Sequence, residues 1–79
     1  MKVLYFAQAA DAAGCREENW TIENDLSLED FWAEALRRHP ALAGIAKQSR
    51  VASGMQYIAG SQRLDRHEEA GIIPPVSGG

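Results

Sequence analysis

The first apolar stretch of the chain predicts a buried strand. Residues 3–7 form a continuous apolar run that contains Val, Tyr and Phe, residue types that favour strands. Val3 and Tyr5 would share one face of this strand, and Leu4 and Phe6 would share the other. Because both faces carry large apolar groups, we predict that the strand lies in the centre of its sheet.

A second strand is predicted a short distance further on. Polar and apolar positions alternate in residues 18–23, which would place Trp20 and Ile22 inward and their neighbours outward. Residues 11–14, which end in a glycine, are predicted to form a loop. The two strands and this loop are therefore expected to form a first hairpin.

The longest amphipathic pattern predicts a helix that begins after Ser27, a residue type that caps helix N-termini. Pro40 is expected to end the helix near His39. Glu34 and Arg38 lie one turn apart and would pair on its surface. The apolar residues recur at helical spacing, so this side is expected to pack on the sheet. That side consists of Leu28, Phe31, Trp32, Ala35 and Leu36.

The second half of the chain predicts short strands. Residues 41–47 fit either a short helix or an irregular connection, and residues 51–59 fit a second hairpin around a Ser53-Gly54 turn. Leu64 is expected to fill the core from a turn. Residues 70–73 form a last short strand, which we expect to lie parallel to the first.

Together these elements predict an α+β domain over residues 1–75, with a mixed sheet of four to five strands and one main helix packed on one face. The opposite face would then carry Phe6, Tyr57 and Ile73. Grouped, exposed apolar side chains mark binding surfaces. We therefore predict that these three residues dock a partner protein; the alternative is that small loops cover them.

The end of the chain predicts a thin, flexible tail over residues 76–79. Two prolines stiffen the exit from the last strand because they fix φ, and the side chains then become smaller up to two glycines that lack Cβ atoms. Such an end fits a channel that is too narrow for other residues. The residues concerned are, in order, Pro74, Pro75, Val76, Ser77, Gly78 and Gly79.

The group that this tail would deliver is the α-carboxylate of Gly79. A chain-terminal carboxyl has a pKa of about 3.3–3.7 and is ionised at neutral pH. It must be activated, most simply as an acyl-adenylate, before a thiol or sulfide can attack it. Because no part of the chain predicts an ATP site, activation implies a partner enzyme. The alternative is a frayed terminus without a function.

Composition and charge exclude several function classes. The net charge of −3 and the scattered basic residues argue against a nucleic-acid partner. A single cysteine, Cys15, excludes an internal disulfide and fits a reducing cytosol. His39 and His67 lack the spacing of metal ligands, so surface positions and no metal site are expected. The apolar run before Ala7 is too short for a signal peptide, so we expect a soluble, cytoplasmic protein without a membrane partner.

The chain resembles a known family in its opening, its central helix and its ending. The opening run from Lys2 to Ala7, the following Gly14, the central helix and the ending from Ile72 to Gly79 resemble the small subunit of molybdopterin synthase, a ubiquitin-like β-grasp sulfur carrier. The resemblance covers the whole chain, and the ending is its most specific part.

The resemblance implies a sulfur-donating subunit that is not itself an enzyme and binds no cofactor of its own. An E1-like adenylyltransferase would use ATP and Mg²⁺ to adenylate Gly79, and a sulfurtransferase would supply the sulfur for a terminal thiocarboxylate. The tail from Pro74 to Gly78 would enter the large catalytic subunit of a heterotetramer. There the sulfur would pass to cyclic pyranopterin monophosphate and form the dithiolene of molybdopterin. Phe6, Tyr57 and Ile73 would contact the large subunit.

Three features depart from the family pattern and affect the turn and register predictions. Residues 66–69 contain no glycine where an Asp-Gly-Asp-Glu-like turn is common, Ser53-Gly54 stands where Asn usually opens the turn, and the loop before Gly14 is rich in alanine. Other functions remain open at this point. They are a sulfur carrier for thiamine or another sulfur-containing product, a ubiquitin-like modifier joined to lysines through Gly79, and an interaction domain with an inert tail.

Overall fold

The structure, a computed structural model, describes residues 1–75. Two 3₁₀ turns, Pro40–Gly44 and Ala46–Gln48, connect the second helix to the fourth strand. The helices are α1 (Gln8–Ala13) and α2 (Leu28–Arg38). The strands are β1 (Lys2–Tyr5), β2 (Glu17–Asn19), β3 (Leu26–Ser27), β4 (Arg50–Ser53), β5 (Gln56–Tyr57), β6 (Arg63–Leu64) and β7 (Ala70–Ile73).

Five strands form one mixed sheet in the order β2-β1-β7-β4-β5. β1 and β7 are parallel, and the other neighbours are antiparallel. The predicted fold class and the parallel placement of the last strand are therefore confirmed. β1 is an interior strand, but β7 takes the middle position. β3 and β6 form a separate two-stranded sheet, which was not predicted.

The main helix has the predicted start and end. The Ser27 hydroxyl oxygen accepts a hydrogen bond from the Asp30 backbone N–H at 3.0 Å, and the helix ends at Arg38, two residues before Pro40. Glu34 accepts a 2.6 Å hydrogen bond from the Arg38 guanidinium, as expected, and a second one from Arg37. Local sequence signals therefore set both ends of α2.

The core lies between α2 and one face of the sheet. Phe31 of α2 is fully buried, and its ring centroid is 5.0 Å from that of Trp20. Leu64 is also fully buried, as predicted, although it enters from β6 rather than from a turn. The largest fully buried side chains are Trp20, Phe31, Leu42, Leu64, Ile72, Val3 and Val51.

The loop predicted for residues 11–14 is wrong. Residues 8–13 form α1, and Gly14 ends it in the left-handed conformation at φ 76°. Four of these six residues are alanines, which have the highest helix propensity. Burial of Ala9 in the core also favours the helix over a loop.

The two other boundary predictions also need correction. The strand predicted for residues 18–23 ends at Asn19, although Trp20 is buried as expected. The second hairpin turns at Gly54-Met55, because Ser53 pairs with Gln56 and is buried in β4. Both turn residues have positive φ, at 57° and 67°, as a two-residue type I′ turn requires.

Candidate functional site

The face of the sheet opposite α2 brings the three predicted docking residues together with several others. In the β1–β7–β4 register, Leu4 lies beside Gly71 and Gly71 beside Ala52. Ala52 in turn lies beside Tyr57 of β5. Because side chains of paired residues share one face of a sheet, the register defines an open face. We assign to it Leu4, Phe6, Arg50, Ala52, Tyr57, Gly71 and Ile73.

Phe6 and Gly71 are in close contact on this face. Phe6 is 46% exposed, and a Cβ atom built on Gly71 would lie only 2.9 Å from Cε2 of its ring. A side chain at position 71 would therefore displace the ring. Glycine therefore lets the Phe6 ring approach the central strand closely, while almost half of this residue stays exposed.

The tail begins where β7 ends. The Phe6 backbone N–H donates to the Ile72 carbonyl at 3.2 Å, and the strand stops at Ile73. Pro74 is buried and Pro75 is exposed, and neither has an N–H with which to continue the ladder. The chain thus leaves the sheet beside Phe6. The predicted tail residues Val76, Ser77, Gly78 and Gly79 lie outside the described residues.

A basic side chain stands next to the root of the tail. Arg50 pairs with Ile73 across β4 and β7, and its guanidinium carbon lies 5.1 Å from the ring centroid of Tyr57. Tyr57 is 53% exposed. The stack holds the guanidinium by a cation–π interaction. Sequence analysis missed Arg50, since only the β4–β7 register shows that it lies at this place.

Acidic side chains stand at the other end of the open face. The Lys2 ammonium lies 3.6 Å from Glu17 and 3.9 Å from Glu69. Glu68 lies over the β4–β5 turn, where its Oε2 is 3.8 Å from the position of a Cβ atom on Gly54. The strip between the two charged ends is apolar, so the open face combines an apolar centre with charges of opposite sign.

A hydrogen-bond network around Glu18 lies on the side of the sheet that faces α2. Oε1 of Glu18 accepts hydrogen bonds of 2.8 Å from the Tyr5 hydroxyl and the Trp20 indole N–H, and it lies 3.0 Å from Nε2 of His39. The Arg38 guanidinium lies 3.9 Å from Oε2 and above the Trp20 ring. The network joins β1, β2 and the end of α2. His39 is therefore partly buried, and the surface position predicted for it is wrong.

The network shifts two pKa values. Burial by itself would raise the pKa of Glu18, but hydrogen bonds from His39, Trp20 and Tyr5 outweigh it and lower that pKa to about 2. Burial, reinforced by the bond to Glu18, raises the pKa of the Tyr5 hydroxyl. Glu18 is thus a carboxylate and Tyr5 a neutral donor at neutral pH. An ionised Glu18 that accepts and a neutral Tyr5 that donates are the states in which this network holds β1, β2 and the end of α2 together; we call the network the Glu18 clamp.

Replacement of Glu18 by glutamine is expected to destabilise the fold by about 1–2 kcal/mol at pH 7. The folded-state pKa of Glu18 lies below its ordinary value of 4.5. Its stabilising effect is therefore complete above pH 4.5 and is lost as the pH falls towards 2. The free-energy difference between wild type and Glu18→Gln should shrink over that window, as measured by urea unfolding at several pH values.

A matched control is Glu23→Gln, which removes the same charge at an exposed position. We expect it to change the free energy of unfolding by less than about 0.5 kcal/mol. An equal effect of the two substitutions, or a difference for Glu18→Gln that does not depend on pH, would contradict the clamp.

The remaining sequence candidates form no second site. Cys15 is partly exposed, and burial, followed by the charge of Glu18, raises the pKa of its thiol. His67 is exposed, as expected. Within residues 1–75, no group of three or more His, Cys, Asp or Glu side chains is placed to hold a metal ion. Over the same residues, neither helix has the length and apolar character that a membrane crossing needs.

Comparisons with known proteins agree with this architecture. The fold resembles the crystal structure of SAMP1 from Haloferax volcanii with a TM-score of 0.83 and 25% identity, over 100% of this chain and 98% of that one. It also resembles a putative molybdopterin converting factor, subunit 1, from Pyrococcus furiosus, with a TM-score of 0.80 and 24% identity over 95% of each chain. These likenesses and the strand order identify a ubiquitin-like β-grasp protein.

Sequence comparisons give the family. A profile described as the ThiS family matches residues 3–79. The chain is 35% identical over 81 residues to the molybdopterin synthase sulfur carrier subunit of Chlamydomonas reinhardtii, covering 100% of this chain and 98% of that protein. It is 35% identical over 82 residues to the human protein of the same name, covering 100% and 93%. This chain belongs to the ThiS family.

Proposed function

We propose that this chain is the sulfur carrier subunit of a molybdopterin synthase and that Gly79 carries the sulfur. The observation that carries the proposal is the full-length similarity to two proteins of that name. The fold is compatible with this role, since Pro74 and Pro75 directly follow the central strand β7 and only four residues of sequence separate them from the end of Gly79.

The proposed chemistry takes place at one carboxylate. An adenylating enzyme joins the Gly79 carboxylate to AMP from ATP and releases pyrophosphate. A persulfide on the sulfurtransferase then attacks the acyl-adenylate and displaces AMP. A second thiol cleaves the resulting acyl disulfide by forming a disulfide with the donor sulfur, which leaves a terminal thiocarboxylate. This group passes its sulfur to the pterin precursor on the large subunit and returns as a carboxylate. Since the catalytic residues are proposed to lie on the partners, this chain supplies the reacting carboxylate, a narrow tail and a docking surface.

The open face is the proposed docking surface for these partners. Phe6 and Tyr57 are about half exposed, and both lie near the strand end that leads into the tail. Aromatic side chains in such positions are typical anchors of protein interfaces. A partner that covers this face would hold the root of the tail at a fixed distance from its own active site.

Thiocarboxylate formation tests the proposal. The chain is incubated with the adenylating enzyme, ATP and a sulfur source, and its mass should rise by the exchange of one oxygen for one sulfur. Met55 is fully exposed, and its oxidation adds one oxygen, which is almost the same mass. Trypsin separates the two changes, because Met55 falls in residues 51–63 and the tail in residues 67–79.

The location of the added mass decides the result. A gain in the peptide of residues 67–79 that depends on ATP supports a sulfur carrier. Persistent absence of this gain, with a related carrier charged in the same reaction, would overturn the proposal. Conjugates of higher mass on a denaturing gel would instead indicate a protein modifier. Transfer of sulfur to a thiazole synthase but not to a molybdopterin synthase would indicate the thiamine pathway.

A further inference from the structure

The open face carries charges of opposite sign at its two ends. Arg50 lies at the end from which the tail leaves, opposite Ile73. Glu68 lies at the other end, over the turn that follows Ser53. Ser53 lies three residue steps after Arg50 in β4, which corresponds to about 10 Å along the strand. The two charges therefore mark the ends of one surface.

Neither charge is neutralised within the described part of the chain. Among residues 1–75, no carboxylate lies within ion-pair distance of Arg50 and no cation within that distance of Glu68. Glu17 and Glu69, by contrast, share Lys2. The cation–π contact with the Tyr57 ring involves no N–H hydrogen bond, so the guanidinium of Arg50 can still bind a carboxylate.

The surface between these charges is apolar. It is formed by Leu4, Phe6, Ala52, Gly71 and Ile73, which line one shallow depression together with Glu68. An apolar centre with charged residues at its rim is the usual build of a protein interface. Rim charges contribute mainly to register and to the selection of partners.

We propose that Arg50 and Glu68 fix the direction in which the carrier docks, an inference that rests on the proposed function. The fitting partner presents an apolar patch with a carboxylate beside the opening that receives the tail and a Lys or Arg about 10 Å away. In the reversed orientation each charge would meet one of its own sign. The charge pattern thus selects the one orientation in which the tail points at the partner's active site.

The test uses the chain with an unmodified C-terminal carboxylate. It measures the affinity of this chain for the molybdopterin synthase large subunit and for the adenylating enzyme of the same organism. Reversal variants Arg50→Glu and Glu68→Lys are each expected to raise Kd at least about tenfold at low salt, since a like charge then faces the partner. Neutral variants Arg50→Gln and Glu68→Gln should raise Kd about threefold and remain informative should a reversal fail to fold. All effects should diminish at about 0.5 M salt.

Matched controls are Arg37→Gln and Glu29→Gln. They remove the same charges from α2, which lies on the other side of the sheet. We expect changes in Kd below about twofold, because these positions are far from the interface. Equal effects of the controls and of the open-face variants would show only long-range attraction and would overturn the fixed orientation. Folded reversal variants that bind as the wild type does would overturn it as well.

A second copy of this chain is the competing occupant, because two open faces placed head to tail would also pair Arg50 with Glu68. A wild type that is dimeric in sedimentation and becomes monomeric with Arg50→Glu would overturn the proposal in favour of that occupant. The proposed function fails separately, by the absence of a thiocarboxylate. If the wild type forms the thiocarboxylate normally and the reversal variants bind the partner with wild-type affinity, only the fixed orientation is overturned.

Discussion

Deletion of Gly79 is expected to reduce thiocarboxylate formation to background while the fold stays intact. Removal of one residue withdraws the terminal carboxyl by about 3.3–3.6 Å. A misplacement of only 1 Å can slow a reaction about 100-fold, because the reacting atoms no longer meet in line. The rate of ATP-dependent mass gain in the peptide that begins at residue 67 measures the effect.

Two further variants separate the length of the tail from its width. Gly79→Ala keeps the length but adds a Cβ atom at the reacting end. If the channel of the adenylating enzyme is narrow, we expect the rate of thiocarboxylate formation to fall strongly. Ser77→Ala keeps both length and slimness and should charge at nearly the wild-type rate. Charging of the Gly79-deleted chain at more than about a tenth of the wild-type rate would contradict a terminal glycine as the carrier.

Stability provides the control for these variants. The buried core residues of the described structure all lie between Val3 and Ile72. Deletion of Gly79 should therefore leave the free energy of unfolding and the affinity for the large subunit within error of the wild type. A fall in either would mean that the loss of charging has a structural cause.

Local signals explain why much of the fold could be predicted from the sequence. Ser27 and Pro40 delimit α2 through side-chain and backbone chemistry that acts over a few residues. The parallel placement of the last strand followed from the order of the elements, with one long helix between the two hairpins. The helix ends depend on neighbours in sequence, whereas the β1–β7 pairing joins distant residues and was predicted only from the overall order of elements.

The features that sequence analysis missed depend on contacts between distant residues. The alanines of α1 favour a helix locally, but the burial of Ala9 in the core, which adds to this preference, depends on distant residues. The turn moves to Gly54-Met55 because Ser53 hydrogen-bonds the Glu69 carbonyl at 2.9 Å and so belongs to β4. His39 is partly buried because it meets Glu18, which is 21 positions away.

The residues of the candidate site also divide into those that the sequence predicted and those that only the contacts between strands reveal. Phe6, Tyr57 and Ile73 were predicted from their apolar character and lie on the open face. Arg50 and Glu68 could not be placed there, since charged residues are common at exposed positions of any chain. Only the β4–β7 register puts Arg50 beside Ile73. The docking role of Phe6, Tyr57 and Ile73 remains a proposal.

Phe31→Ala and Phe6→Ala are expected to have opposite effects on stability and docking, although both remove a phenyl ring. Phe31 is fully buried against Trp20 and Trp32, so its truncation should leave a cavity and lower the free energy of unfolding by about 3–5 kcal/mol. That is close to the lower end of the stability expected for a domain of this size, about 4–12 kcal/mol. Urea unfolding measures it, and Phe31→Leu gives a milder variant should the first not fold.

Phe6, by contrast, is 46% exposed over Gly71. Its truncation should change the free energy of unfolding by less than about 1 kcal/mol and raise Kd for the large subunit at least about tenfold. Phe31→Leu should bind the partner normally at temperatures where it is folded, because α2 lies across the sheet from the docking surface. If Phe6→Ala instead destabilised the fold as much as Phe31→Ala and left binding unchanged, the open face would be part of the core rather than a docking surface.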